Sequence, residues 1–157
     1  MEYNSAIKKA LVGVVILAVV AFVAALIISY INKNNSKNDQ TAAEIGTKLD
    51  VPKDQLPEAL PANLPQEENT TVVDNYTVPL ENGREEGARL YVTNKTVDEN
   101  VTIYNDFLKS DGWSEISNKS FDNLKIITGS KGEERILVNI SQTEDGQTST
   151  VSVYVTK

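Results

Sequence analysis

Adjacent carboxylates are the side chains best placed to do chemistry in this chain. They fall in five pairs: Glu67-Glu68, Glu85-Glu86, Asp98-Glu99, Glu133-Glu134 and Glu144-Asp145. Glycosidic hydrolysis needs two carboxylates facing one another across a cleft, one protonated and one ionised. Each of these pairs falls instead in an expected turn or at a helix start, where solvated acids are ordinary. Glu133, Glu134, Glu144 and Asp145 offer the oxygen ligands that calcium takes, but without EF-hand spacing. The chain contains no His and no Cys. That removes the commonest general base, the commonest zinc ligands and any thiolate nucleophile together. No phosphate-cradling glycine loop and no nucleophile-elbow pattern occurs. No catalytic, cofactor-binding or metal-ligating residue is therefore singled out. No cofactor is expected, and the chain reads as something other than an enzyme.

Two further groups of residues carry a chemical and a structural reading side by side. Trp113 directly follows an expected helix end. It could stack on a ligand, but the plainer reading is that it closes the helix against a sheet. The N-x-S/T sequon begins at Asn34, Asn69, Asn75, Asn94, Asn100, Asn118 and Asn139, seven times where chance predicts about two. Glycans there would place these segments outside the cell. The favoured reading is that Asn and Thr both crowd into turns and exposed strand faces.

The formal charge of the chain is −7, and from Glu67 onward 16 acids face 9 bases. An acidic soluble part argues against nucleic acid and anionic headgroups as partners.

What positions these residues begins with an anchor. Residues 10–31, ALVGVVILAVVAFVAALIISYI, run for 22 positions without a charge. A helix of that length spans roughly 33 Å, enough to cross a bilayer core. The apolar run exceeds that of a cleavable signal peptide, and no small-x-small site follows it, so an uncleaved single-pass signal anchor over residues 1–31 is expected. Lys8 and Lys9 precede the span, while Lys33, Lys37 and Lys48 follow it. The short N-terminal segment is placed inside and the domain outside the cytoplasm. Ala21 and Ala25 share one helix face and would allow self-association through the helix.

Residues 32–66 read as a linker, polar at first and then proline-bearing, with Pro52, Pro57, Pro61 and Pro65 stiffening the backbone. Leu56, Leu60 and Leu64 recur between those prolines, so this stretch either spaces the domain from the membrane or lies against it. Residues 67–157 form a small soluble domain. Two-residue alternation predicts strands around Leu90–Thr93, Ile136–Ser141 and Val151–Thr156, with others at 71–78, 113–119 and 123–129. Asn82-Gly83, the stretch from Gly129 to Gly132, and Asp145-Gly146 are turn signals. Val97, Val101, Tyr104 and Leu108, with Phe107 beside them, make one apolar helical stripe. Thr96 and Glu99 form a capping box at its start, and Gly112 stands at the expected C-terminal cap. The fold class is α+β: a two-layer sandwich of an antiparallel sheet, in the order β-β-α-β-β-β, with one packed helix.

The segments LPEALPANLP at 56–65, VVDNYTV at 72–78 and IYNDFLKSDGW at 103–113 resemble a group of small membrane-anchored bacterial proteins from candidate-phylum lineages. These are marked by an LPxxLP segment and a Y-x-x-F-L-x-x-x-G-W helix in an α+β ectodomain. The resemblance implies the fold and a membrane location, and it supplies no site residue to carry over.

The function expected from these readings is a membrane-anchored extracytoplasmic domain at the cell surface that binds a protein or other partner without catalysis. The alternative is a pilin-like structural subunit whose apolar helix assembles into a filament. Lys9-Ala10-Leu11-Val12 is similar to a prepilin-peptidase site, which carries a basic and a small residue before an apolar run.

Overall fold

A computed structural model describes residues 45–65, 70–144 and 146–157. The expected anchor, Asn34, residues 66–69 and Asp145 lie outside them. Among the described residues no helix is long and apolar enough to cross a membrane.

The alternating segments form β1 (Leu49–Asp50), β2 (Thr71–Pro79), β3 (Glu85–Thr93), β4 (Ser114–Phe121), β5 (Leu124–Lys131), β6 (Glu134–Gln142) and β7 (Ser149–Thr156). All pair antiparallel in one sheet, in the spatial order β1-β2-β3-β7-β6-β5-β4. The expected order β-β-α-β-β-β is one strand short after the helix, since the segments expected at 113–119, 123–129, Ile136–Ser141 and Val151–Thr156 all form strands. Residues 114–121 and 124–131 are separate strands that turn back at Asp122-Asn123, where Asp122 takes a positive φ of 33°. A two-residue strand, β1, also precedes the expected set and pairs with β2.

The single helix, α1 (Val97–Ser110), begins and ends where its sequence dictates. Thr96 Oγ1 accepts from the Glu99 amide, and the Glu99 carboxylate accepts from the Thr96 amide at 2.8 Å, closing the capping box. At the other end Gly112 has a φ of 81°, the left-handed conformation that costs glycine nothing. The Trp113 amide donates to Leu108 O and the Gly112 amide to Lys109 O, a Schellman arrangement. Trp113 thereby turns into the core beside Leu108. The expected stripe packs inward: Tyr104 and Leu108 are fully buried, with Phe107 against them and Val97 and Val101 at the margin.

One face of the sheet carries the core. A row running across it reads Asn75, Arg89, Val153, Val138, Ile127 and Asn118. Ile136, Ile140, Val151 and Val155 fill the neighbouring rows. The helix lies mainly over the β4-β5-β6 half of this face. The remaining half is covered by the proline-bearing stretch, residues 52–65, hereafter the strap. Of its two sequence readings, packing against the domain is the one found: Pro57, Ala59, Leu60 and Leu64 are buried, and both leucines join the core of α1 and the sheet. Each buried leucine stabilises the strap by about 1.5–3 kcal/mol.

Candidate functional site

The strap is irregular, so its own backbone must find hydrogen bonds outside any helix or ladder. It meets part of that need internally. The Gln55 amide donates to Pro52 O, Leu60 to Pro57 O and Leu64 to Pro61 O, three successive tight turns each begun by a proline. Each proline opens its turn as the residue whose carbonyl accepts the closing bond, and its missing N–H leaves no donor to satisfy. Carbonyls facing the sheet are satisfied by side chains from the body.

Asn75 on β2 and Arg89 on β3 supply these donors. Asn75 Nδ2 lies 3.2 Å from Val51 O, 2.8 Å from Pro52 O and 2.9 Å from Gln55 O. Arg89 donates from Nη1 to Gln55 O at 2.9 Å and to Asn75 Oδ1 at 3.2 Å, and from Nη2 to Lys53 O at 3.2 Å. Both residues are buried, 3% and 7% exposed. A buried guanidinium normally faces a carboxylate. This one faces carbonyl oxygens and an amide, and desolvation pulls its pKa below the ordinary arginine value.

Between these donors and the helix, the strap closes on Gly87. A Cβ built there would stand 2.9 Å from Ala59 Cβ, 3.2 Å from Pro57 Cβ and 3.3 Å from the Leu60 amide nitrogen. Two further polar ties hold the rim: Asn63 Nδ2 to Asp111 Oδ1 at 2.7 Å, and Lys157 Nζ to Glu58 O at 2.6 Å. Asp111 also accepts from Trp113 Nε1 and Lys131 Nζ. The Asn63 hydrogen bond above all, with those from Lys131 and Trp113, holds the Asp111 carboxyl below its usual range. At the seam between strap and helix, the Tyr91 and Tyr104 hydroxyls meet at 2.8 Å. The result is an apolar groove with polar donors at one end, filled by a segment of the same chain.

Two other places were candidates for chemistry. The opposite face of the sheet carries Tyr76, Tyr154 and Glu86, all with pKa values raised chiefly by burial. Lys48 lies 4.7 Å above the Tyr76 ring and pairs with Asp74 at 2.8 Å. Ala88 lies between the two tyrosines in register and is itself buried, so this cluster is packed over its floor. The second place is a cleft of about 260 Å³ at the start of α1, lined by Thr96, Asp98, Asp122, Lys125 and Gln142.

The paired acids are dispersed. Glu99 serves the capping box. Glu85 and Glu86 are successive residues of β3, so their side chains point to opposite faces of the sheet. Glu133-Glu134 and Glu144 stand at opposite ends of β6, a nine-residue strand, roughly 26 Å apart. The calcium reading of these acids therefore has no geometric basis. Among the described residues no group of acids could hold a metal. Trp113 is buried at 5% exposure, closing the helix rather than offering a stacking surface.

Three of the sequon asparagines make structural contacts, and two of them, Asn75 and Asn100, are buried instead of standing in the turns and exposed strand faces expected for them. Asn75 is the strap's main fastener. Asn100, fully buried, donates to Thr96 O and Ser149 Oγ, while its own Oδ1 has no hydrogen-bond partner. Asn118 exchanges amide hydrogen bonds with Asn105 of α1. Asn94 is exposed. A glycan on Asn75 or Asn100 is incompatible with the folded domain. Arg89 and Gly87, central to the groove, were not marked by sequence reasoning. The only signal was a charged residue at an inward position of an alternating strand.

A family model described as START domain-like matches residues 70–152, more than half of the chain. The match begins at the head of β2, so the strap lies outside it. No curated protein and no solved structure matches. With a match over more than half of its length, the chain belongs to the START domain-like family.

Proposed function

We propose that this protein is a non-catalytic binding module, carried outside the cytoplasm on a single-pass membrane anchor formed by residues 10–31. The observation that carries the binding reading is the groove of a START-like, ligand-binding fold, apolar along its floor and provided with buried donors at Asn75 and Arg89. A site that fixes its occupant through carbonyl oxygens and apolar side chains needs no general acid or base, which fits a chain without His. The uncharged 22-residue run supports the anchor.

The test of binding is mass spectrometry of the full chain gently extracted from its native membrane. A small molecule or protein that stays with the wild type and is lost with Arg89→Leu supports the reading. Wild type and variant that both emerge without companions would sink it. Protease accessibility of the domain in intact cells tests the location. The mass of the native N-terminus addresses the second reading, which rests on Lys9-Ala10-Leu11-Val12: an intact Met1 rules out a processed pilin-like subunit, and a start at Leu11 favours it.

A further inference from the structure

We propose that the strap is an exchangeable element, and that the partner fitted by the groove is the same segment, residues 52–65, of a second copy of this chain. The proposal deepens the binding reading above and rests on it, since it takes the same groove as the site.

Four observations carry it. First, the strap keeps its own turns. The hydrogen bonds from Gln55, Leu60 and Leu64 to the prolines at 52, 57 and 61 lie within the segment, so it can leave as a formed unit. Second, the body grips it mainly through side chains. Asn75, Arg89 and Lys157 reach its carbonyls, and Asn63 of the strap reaches Asp111. Beyond Val51, no strap residue is laddered to the sheet. Third, the groove cannot stand empty at low cost. Losing the strap strips the buried Arg89 of two carbonyl partners and leaves Asn75 Nδ2 only Val51 O of its three acceptors. A vacated groove therefore favours an occupant that brings back the same carbonyls and leucines.

The fourth observation is fit. The contact at Gly87 accepts Ala59 and Pro57 with no room for one more carbon, so the groove is matched to the sequence Pro57-Glu58-Ala59-Leu60. Every copy of the chain carries both that sequence and the groove. An exchanged strap makes the contacts it already makes in its own chain, which is why swapping of this kind is thermodynamically inexpensive. The groove lies in the part of the chain that matches the family, whereas the strap lies outside it.

The test uses the full chain in detergent and exploits the absence of native Cys. Glu58→Cys and Lys157→Cys replace two exposed residues whose positions are tied in the folded domain. On one chain, the double variant with a short bismaleimide should cross-link internally and run as a monomer. Mixing chains that carry Glu58→Cys alone with chains that carry Lys157→Cys alone should give a cross-linked heterodimer. Its yield should rise with incubation time and with protein concentration. Adding Gly87→Ala to the Lys157→Cys chain should cut that yield about tenfold, because the strap no longer seats. If Gly87→Ala fails to fold, Ala59→Leu on the Glu58→Cys chain blocks the same contact from the strap side. Exchange is overturned if no heterodimer forms where the double variant cross-links fully. It is equally overturned if the heterodimer persists undiminished with the blocking variants, since proximity through the anchors would then explain it. Either failure leaves the binding reading standing, because the native-membrane experiment can still find another occupant.

Discussion

The two halves of the sheet's inner face are covered by different means. Over β4, β5 and β6 lies α1, whose backbone hydrogen bonds are internal and whose ends are capped by its own sequence. Such an element asks of the sheet only apolar surface, and Ile127, Val138 and Ile140 provide it. Over the β2-β3 side lies the strap, whose turns satisfy only part of its backbone. The sheet there must provide donors, and so Asn75 and Arg89 occupy inward positions of β2 and β3. An irregular cover needs donors from the sheet for its own backbone, whereas the helical cover does not, and its buried polar contact at Asn100 and Ser149 is between side chains. The polar half is consequently the one that can be undone and remade.

This contrast can be broken by substitution. The largest effect is expected from Leu108→Ala in the helix-covered half. It should cost about 2–5 kcal/mol of global stability, seen in denaturant unfolding, with hydrogen-exchange protection falling in every strand. Arg89→Leu should cost about 1–3 kcal/mol by taking the donor from the Lys53 carbonyl and from Asn75 Oδ1 and one of two donors from the Gln55 carbonyl. Its signature is local: protection at the amides of Gln55, Leu60 and Leu64 should fall well before that of β5 and β6. Uniform loss across the sheet would erase the distinction between the two halves. Thr96→Ala should cost about 1 kcal/mol through the capping box alone, and should leave exchange in the strap unchanged.

The smallest effect is a pH dependence at the rim. Hydrogen bonds from Asn63, Lys131 and Trp113 depress the folded-state pKa of Asp111. A depressed carboxyl contributes stability that is present above its ordinary pKa and lost as pH falls through the folded value. Strap protection at Leu64 should therefore decline on acidification through and below the usual aspartate range, while β6 holds. Asp111→Asn should flatten that profile, and an unchanged slope in the variant would refute the assignment to Asp111.

Much of the helix-covered half is legible from sequence because its determinants are local. The stripe of Val97, Val101, Tyr104 and Leu108, the Thr96–Glu99 box and Gly112 each act within a few residues of one another. The strands were likewise legible, β4 and β5 as separate segments at 113–119 and 123–129, although the expected order held one strand too few after the helix. The strap-covered half resists reading because its determinants are distant in the chain. Asn75 meets Gln55 across 20 residues, and Arg89 meets Lys53 across 36. Gly87 looks like any weak point in a strand until Ala59 is seen above it. The sequon count drew attention to Asn75 for a reason unrelated to its role.

The place of β7 has a consequence for how the chain reaches this fold. Of the described strands, the one latest in sequence lies in the middle of the sheet, paired with β3 on one side and β6 on the other. Until Ser149–Thr156 has emerged, the chain can form only two separate pieces, the β2-β3 hairpin and the β4-β5-β6 meander, each with an open edge. Pairings that span so much of the sequence are slow to close and leave those edges exposed to wrong partners while they wait. A truncation of only the final eight residues should therefore do more harm than loss of β1, since it removes the seam rather than a border.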